Sequence, residues 1–594
     1  MTALLVVLAL LAGYWLVGLG TLAAVGADTS QLRLVLVAPA LGSAVFDLIL
    51  FVFNYDGGVG VEHYGLAVAV VLLVAAAVVL AIRRPRIDPR ALLVLAVCLA
   101  GLALVAGPLV TYGFNWDSAG NDDMGNYVLS ALGLLHHGLV MPFDVNGILH
   151  DRDYSTFLET LHNLGSRPGS DIELAGVSAV VGRLPYQTFM PFILSLQLSG
   201  VCATGALALQ AARRWWAAPI AVALLLVSPE ANYGWLQQLL AQTAGLGLAA
   251  ALLAVLMDGD LHNGSRRVRT SDVVPVGLIA SAFILNYVEL ASTIALAYLT
   301  YLAILMARRR LNLAALARFL IPVVVMAFVI LNGYLILEIH YTFSQATGGL
   351  AGTPLSFFGF ALVPEGLAEL VGFKVIPGVG GSLGTSLAIV LAALLVFMLL
   401  CGSVLSARRG VAAAVVLVLD AALGALLAHN SAAFGLFKLF MYVQPFIAAT
   451  LAIWLTAIRR PALLACASAL LAFMVVAQLS PLHTYVEQSR DPLDLVHASD
   501  NSLIPAFRRF LATSKAPVVS VTDNPALAKL EASVVGNRSL YFITTNVFVN
   551  IDGLAKAVLP RGPIPHKSQL EAAVEWAPRS FNLLEPGRHA VDPF

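Results

Sequence analysis

The chain has 594 residues, 59% of them hydrophobic and only 11% charged, with a mean hydropathy of +0.86. Soluble domains carry roughly 25% charged residues, so this composition excludes a soluble globular protein and describes a polytopic membrane protein. A net charge of zero and a pI near 7.2, with no basic cluster interleaved with aromatics outside the apolar runs, exclude a nucleic-acid-binding surface.

The N-terminus opens directly into an apolar run, without the basic segment or cleavage site of a secretory signal, and reads as a first span. A spanning helix needs about 20 apolar residues. Fourteen runs of that kind are expected to be helices: 3–25, 34–53, 64–82, 91–112, 187–212, 216–229, 236–257, 273–287, 290–307, 314–337, 384–405, 411–428, 434–457 and 461–480. The four cysteines, Cys98, Cys202, Cys401 and Cys466, sit inside such runs without metal or disulfide spacing, and read as small core residues.

Lysine and arginine concentrate in cytoplasmic loops. Eighteen arginines (33, 83, 84, 86, 90, 213, 214, 266, 267, 269, 308, 309, 310, 318, 408, 409, 459 and 460) fall in alternate loops, against five basic residues, Arg152, Arg167, Arg183, Lys374 and Lys438, on the other side. Both termini and the long loops 113–186 and 338–383 are therefore expected outside. Segments 215–265 and 270–307 each begin and end beside cytoplasmic arginines, so each is expected to be a hairpin. Their polar tips, "SPEANYG" (228–234) with Glu230 and "NYVE" (286–289) with Glu289, should lie near the depth of a lipid phosphate.

The first long loop holds "GNDDMGNYVLSALGLLHHG" at 120–138, with paired carboxylates at the start of a helix-like run and paired histidines at its end. Two readings of Asp122 and Asp123 stand side by side. They cap an interfacial helix, whose dipole favours acids in the first turn, or they do chemistry. His136 and His137 suit the C-terminal end of the same dipole, or bind a ligand. Lys438, a rare outer cation at a membrane boundary, either snorkels to the interface or binds phosphate. Glu230, Glu289, Glu338, His340 and His429 gather by topology near the outer leaflet. Asp47 and Asp420 are ionisable residues inside apolar spans, and so either functional or structural hydrogen-bonding groups.

An acidic loop after a transmembrane helix, short hairpins with polar tips, further long outer loops and a soluble C-terminal region resemble the GT-C superfamily of bacterial membrane glycosyltransferases. The segment "HNSAAFGLFKLFMYVQPF" at 429–446, with Lys438 and Tyr442, is similar to a late-helix pattern of that superfamily. The resemblance covers residues 91–480, though three spans precede the helix before the acidic loop, where the usual pattern has that helix first. It implies a polyprenyl-phosphate sugar donor, a glycan or lipid acceptor, and Asp122 or Asp123 as catalytic base. It further implies substrate binding by Lys438, Glu289, Glu230, His429, Tyr442, His136 and His137, with membrane lipids as surroundings. The only cofactor in view is a divalent cation, Mg or Mn, and no metal ligand can be named. The rival functions are a lipid-linked glycan polymerase or ligase, which shares the substrates, and a transporter or flippase, which would more naturally have two similar halves.

Residues 481–594 change character, with eleven lysines and arginines and no spanning run. Sequence patterns predict a helix, a strand at 517–521, a second helix and a strand at 539–544, a small extracytoplasmic α/β domain without a nucleotide-binding motif. The expected architecture is thus an all-α polytopic membrane domain over 1–480 with about 14 helices, followed by that domain over 481–594.

Overall fold

The computed structural model describes residues 1–119, 122–140, 167–350, 356–376 and 383–490, together with the short stretches 503–513, 518–520, 533–534, 540–542 and 574–576. Helix dominates, because a backbone in hydrocarbon must satisfy its own hydrogen bonds. Among the described residues nine helices are long and apolar enough to cross a membrane: Thr2–Ala24, Leu32–Tyr55, Gly65–Arg83, Pro185–Leu209, Thr270–Ala307, Leu313–Leu331, Thr385–Ala407, Ala412–His429 and Pro461–Gln488. Two bent pairs, Arg90–Val105 with Gly107–Asn115 (70°) and Ala433–Tyr442 with Gln444–Ala457 (44°), bring the number to eleven. The chain is a multi-pass membrane protein.

All fourteen expected runs are helical, but they do not give fourteen simple spans. Runs 216–229 and 236–257 become Ala217–Val227 and Leu240–Leu256, of 11 and 17 residues, with the short helix Pro229–Leu236 between them. At 1.5 Å per residue these reach about 17 and 26 Å, less than the roughly 30 Å of the hydrocarbon. Residues 270–307 form one 38-residue run broken by a 3₁₀ turn at Val288–Leu290. Near its start Asp272 pairs with Arg266 at 3.0 Å, and near its end the Tyr301 hydroxyl donates to the Met257 carbonyl at 3.3 Å. The run therefore leaves and returns to one end of the bundle.

That end is the arginine-rich one. Arg33 and Arg266 both pair with Asp258, at 3.2 and 3.6 Å. The Thr29 hydroxyl donates to the Arg86 carbonyl at 2.8 Å, and Arg90 lies over the Trp215 ring at 5.6 Å. Gln210 joins two further loops, donating to the Met257 carbonyl at 2.7 Å and accepting from the Ala412 amide at 3.3 Å. Loops far apart in the chain thus meet on a single face, as the alternation of arginines requires.

Helices Thr2–Ala24 and Leu32–Tyr55 approach backbone to backbone. A Cβ on Gly18 would fall 1.8 Å from the Ala38 carbonyl oxygen, and one on Gly42 would fall 1.8 Å from that of Tyr14. Small residues permit this closeness in lipid, where packing rather than water exclusion joins helices. Cys98 and Cys202 also come together as free thiols, 3.7 Å apart in the core.

The helix Pro461–Gln488 runs through Pro481, so no break occurs at the expected boundary of 480 and 481. A proline ring is accommodated there near the end of a long helix whose last turns pack in the outer layer, where the Tyr485 hydroxyl accepts from the Ile376 amide at 2.7 Å. Beyond it come helix Leu503–Thr513 and three short parallel strands, with Val518–Ser520 central between Leu540–Phe542 and Val574–Trp576. The first two strands fall where the sequence patterns predict them, and the third was not anticipated. Most of 481–594 lies outside the described residues.

Gly18→Leu or Gly42→Leu is expected to destabilise the bundle by about 1–3 kcal/mol through overpacking, read as a lower thermal midpoint in detergent, whereas Gly13→Ala, with only the Leu73 side chain 3.7 Å away, should be tolerated. Reporter fusions after Gln488 are expected to give extracytoplasmic-type activity, and cytoplasmic-type activity would reverse the assignment of faces.

Candidate functional site

The helix of the first long loop runs over Asp122–His136, beginning at the paired acids. The side chains of Asp122 and Asp123 themselves lie outside the described residues. The stem before them is anchored to the first hairpin tip: the Ser118 hydroxyl donates to the Leu236 carbonyl at 2.8 Å, and Gln238 Nε2 to the Asp117 carbonyl at 2.7 Å. At its other end the helix is moored to the N-terminal helices. His136 Nδ1 lies 2.9 Å from Glu62 Oε2, and Asn54 Nδ2 donates to the Val59 and His137 carbonyls at 3.1 and 3.0 Å. The two histidines thus occupy a tether.

One turn beyond Asp123, Tyr127 enters a polar cluster. Arg167 donates from Nη1 to Glu289 and from Nη2 to the Tyr127 hydroxyl at 3.3 Å, and its guanidinium lies 5.4 Å from the Tyr287 ring centroid. Tyr287 and Tyr442 share a hydrogen bond between their hydroxyls. Gln242 Oε1 accepts from Tyr287 and from Lys438 Nζ, each at 3.5 Å. The cluster thus joins the first outer loop, both hairpins and the late helix Ala433–Tyr442. Glu289 Oε2 keeps spare acceptor capacity, with no donor among the described residues, and neither oxygen of the fully buried Glu338 has one.

Of the residues singled out in the sequence, Glu289, Lys438 and Tyr442 are therefore brought together. Glu230 is buried elsewhere, at the first turn of Pro229–Leu236. His429 is the exposed last residue of Ala412–His429 and is not joined to the cluster by these bonds, and His340 is likewise exposed. Sequence reasoning missed Tyr127, Tyr287, Gln242 and the use of Arg167. Arg167 carried a signal, as one of only five outer basic residues; Tyr127 and Tyr287 lay within quoted polar stretches without being singled out, and Gln242, in a helical apolar run, carried none.

Beneath the cluster lies a second layer of buried acids. Asn286 Nδ2 donates to Asp47 Oδ2 at 2.6 Å, and the Ser43 hydroxyl donates to Glu173 at 2.9 Å. Asp171, two residues before Glu173, accepts from the Ser170 hydroxyl at 3.3 Å. Burial pushes the Asp171 carboxyl up to about 7, against the pull of Arg167 and Ser170. Among the described residues no three His, Cys, Asp or Glu side chains converge on a metal position.

No protein-family model matches the chain, and no curated protein matches it. The chemistry of the cluster must therefore be read from its own atoms. It offers two cations, Arg167 and Lys438, beside a carboxylate and three phenols, an arrangement suited to an oxyanion and a hydroxyl held side by side.

Because the folded-state value of Asp171 lies above its ordinary one, the folded protein holds a proton that the unfolded chain releases between about pH 4 and 7. Stability from this group is present at low pH and is lost as pH rises to about 7. Asp171→Asn is expected to flatten the fall in thermal midpoint between pH 5 and 8 by about 1 kcal/mol or more in free-energy units; an unchanged slope would show that Asp171 is not the titrating group.

Proposed function

We propose that the protein is a GT-C-type membrane glycosyltransferase, moving a sugar from a polyprenyl phosphate to a cell-envelope glycan or lipid acceptor with inversion at the anomeric carbon. The reaction takes place at the extracytoplasmic face of a bacterial plasma membrane, with the region after Gln488 on the same side. The observation that carries this reading is the cluster of Arg167, Lys438, Glu289, Tyr127, Tyr287 and Tyr442, formed by the outer loop and the hairpin turn at Val288–Leu290 opposite the arginine-rich face.

In this mechanism the anomeric C–O bond to phosphate breaks, and its electron pair leaves with the phosphate. Arg167 and Lys438 oppose the growing negative charge, in a setting where low dielectric magnifies each interaction. The acceptor oxygen bonds to the anomeric carbon from the opposite side, and its proton passes to a carboxylate. Asp122 or Asp123 is that base, one helical turn from Tyr127, which bonds Arg167. Glu289 is already engaged as the partner of Arg167, so it orients the guanidinium. The short helices Ala217–Val227 and Leu240–Leu256 support lateral entry of the donor, since helices below bilayer length leave their polar tips near phosphate depth.

The test is turnover of a synthetic polyprenyl-phosphate sugar by the purified full-length protein. Asp→Asn keeps size and capping ability while removing basicity. One of Asp122→Asn and Asp123→Asn is expected to lose about 10²- to 10⁴-fold in rate with normal folding, because that is the contribution of a general base; loss of a cap alone costs about 1 kcal/mol of stability and leaves turnover intact. Arg167→Gln should lower turnover as well. Full activity in both Asn variants would overturn the assignment of the base, and activity with a soluble nucleotide sugar alone would overturn the donor class.

A further inference from the structure

A second polar site lies apart from the Arg167 cluster, between the first hairpin tip and the outer loop 356–376. Glu230 and Glu369 are respectively 0% and 1% exposed, and all four of their carboxylate oxygens lack a donor among the described residues. The scaffold around them is fixed. The Ser228 hydroxyl donates to Gln444 Oε1 at 2.9 Å, and Gln444 Nε2 donates to the Leu370 carbonyl at 3.0 Å, which clasps the residues flanking the two acids. Gln478 does the same one residue further on, donating from Nε2 to the Val371 carbonyl at 2.9 Å. That bond leaves Gln478 Oε1, on a side chain 3% exposed, also without a donor. Gly372, at φ +71°, makes the turn that lets Pro229 and Gln478 close over this point: a Cβ there would meet Pro229 Cδ at 2.6 Å and Gln478 Cγ at 3.3 Å.

We propose that Glu230, Glu369 and Gln478 bind one hard divalent cation, of the Mg²⁺ or Ca²⁺ class, joining the hairpin tip to the outer loop. Five buried oxygens without donors form an acceptor-only environment, the chemistry that such ions require. Buried carboxylates left without compensation are strongly destabilising, and among the described residues neither acid accepts a hydrogen bond from Lys374, the nearest basic residue in sequence to Glu369. One shared proton would satisfy two of the four carboxylate oxygens and would leave Gln478 Oε1 without a donor. Two carboxylates and an amide oxygen, completed by water, match the partly hydrated oxygen coordination of these ions, which needs no histidine or cysteine. The role is structural, holding the hairpin tip against the outer loop, and is independent of which molecule the protein transfers.

The experiment uses the purified full-length protein, stripped with chelator, and Tb³⁺ as probe, with luminescence sensitised through Trp235, Tyr233 and Tyr485. Tyr233 and Tyr485 rings lie 5.0 Å apart beside the site. One saturable site is expected, displaced by Ca²⁺ or Mg²⁺. Glu230→Gln and Glu369→Gln should each weaken binding at least tenfold, and Gln478→Leu by a smaller factor. Ca²⁺ or Mg²⁺ should also raise the thermal midpoint of the wild type but not of the Glu→Gln variants, which lose the uncompensated charge and fold without the ion. Glu369→Asp retains the charge and serves where a Gln variant does not fold; it should bind with altered affinity. A wild type that binds no ion, or binding and thermal shift unchanged in Glu230→Gln and Glu369→Gln, would overturn the proposal and leave a proton-sharing pair. These readouts do not depend on turnover, so they stand or fall separately from the glycosyl-transfer reading.

Discussion

Hydrocarbon offers no partner to a polar group, and the rest of this structure follows from that constraint. Backbone amides close on themselves within helices, so apolar runs become helices whatever their side chains. Charged side chains are driven to the two ends or into mutual contact. At one end Arg33 and Arg266 meet Asp258, and the Thr29 hydroxyl donates to the Arg86 carbonyl. At the other, Arg167 is compensated by Glu289 and shielded by Tyr127 and Tyr287. A lone guanidinium there would be costly; a paired one can hold an anion as well.

Helix length converts this constraint into a site. Most spans are about as long as the hydrocarbon is thick, and their ends carry little chemistry. The hairpin helices Ala217–Val227 and Leu240–Leu256 are shorter, and the 270–307 run turns at Val288–Leu290. Such breaks bring loop residues inward: Ser118 and Asp117 bond to the first hairpin at Leu236 and Gln238, and Arg167 reaches Glu289 at the second. Polar groups at that depth persist because each is buried in protein, not in lipid.

The helix Ala433–Tyr442 has a similar double character. Lys438 and Tyr442 face the polar cluster, while Leu436, Leu439 and Phe440 line an apolar pocket of about 220 Å³ with Asp420 and Ser403. One short bent helix therefore borders both a polar and an apolar compartment, because residues three and four apart share a helix face and intervening ones do not.

The sequence by itself determined the membrane class, the helical runs, the two ends of the bundle and the acidic loop, since each depends on local composition or on counting charges along the chain. It also exposed Glu289 and Lys438 as unusual for their position, and Tyr442 through the resemblance of 429–446. It could not reveal that these three meet Arg167, Tyr127 and Gln242, or that Glu230 belongs with Glu369 and Gln478 instead. Nor could it predict that His136 is tied to Glu62, or that Cys98 and Cys202 adjoin. Those partnerships join residues dozens to hundreds of positions apart, and they depend on which helix faces touch and at what height. Helical periodicity tells where a residue sits around its own axis; only packing decides which other axis it meets.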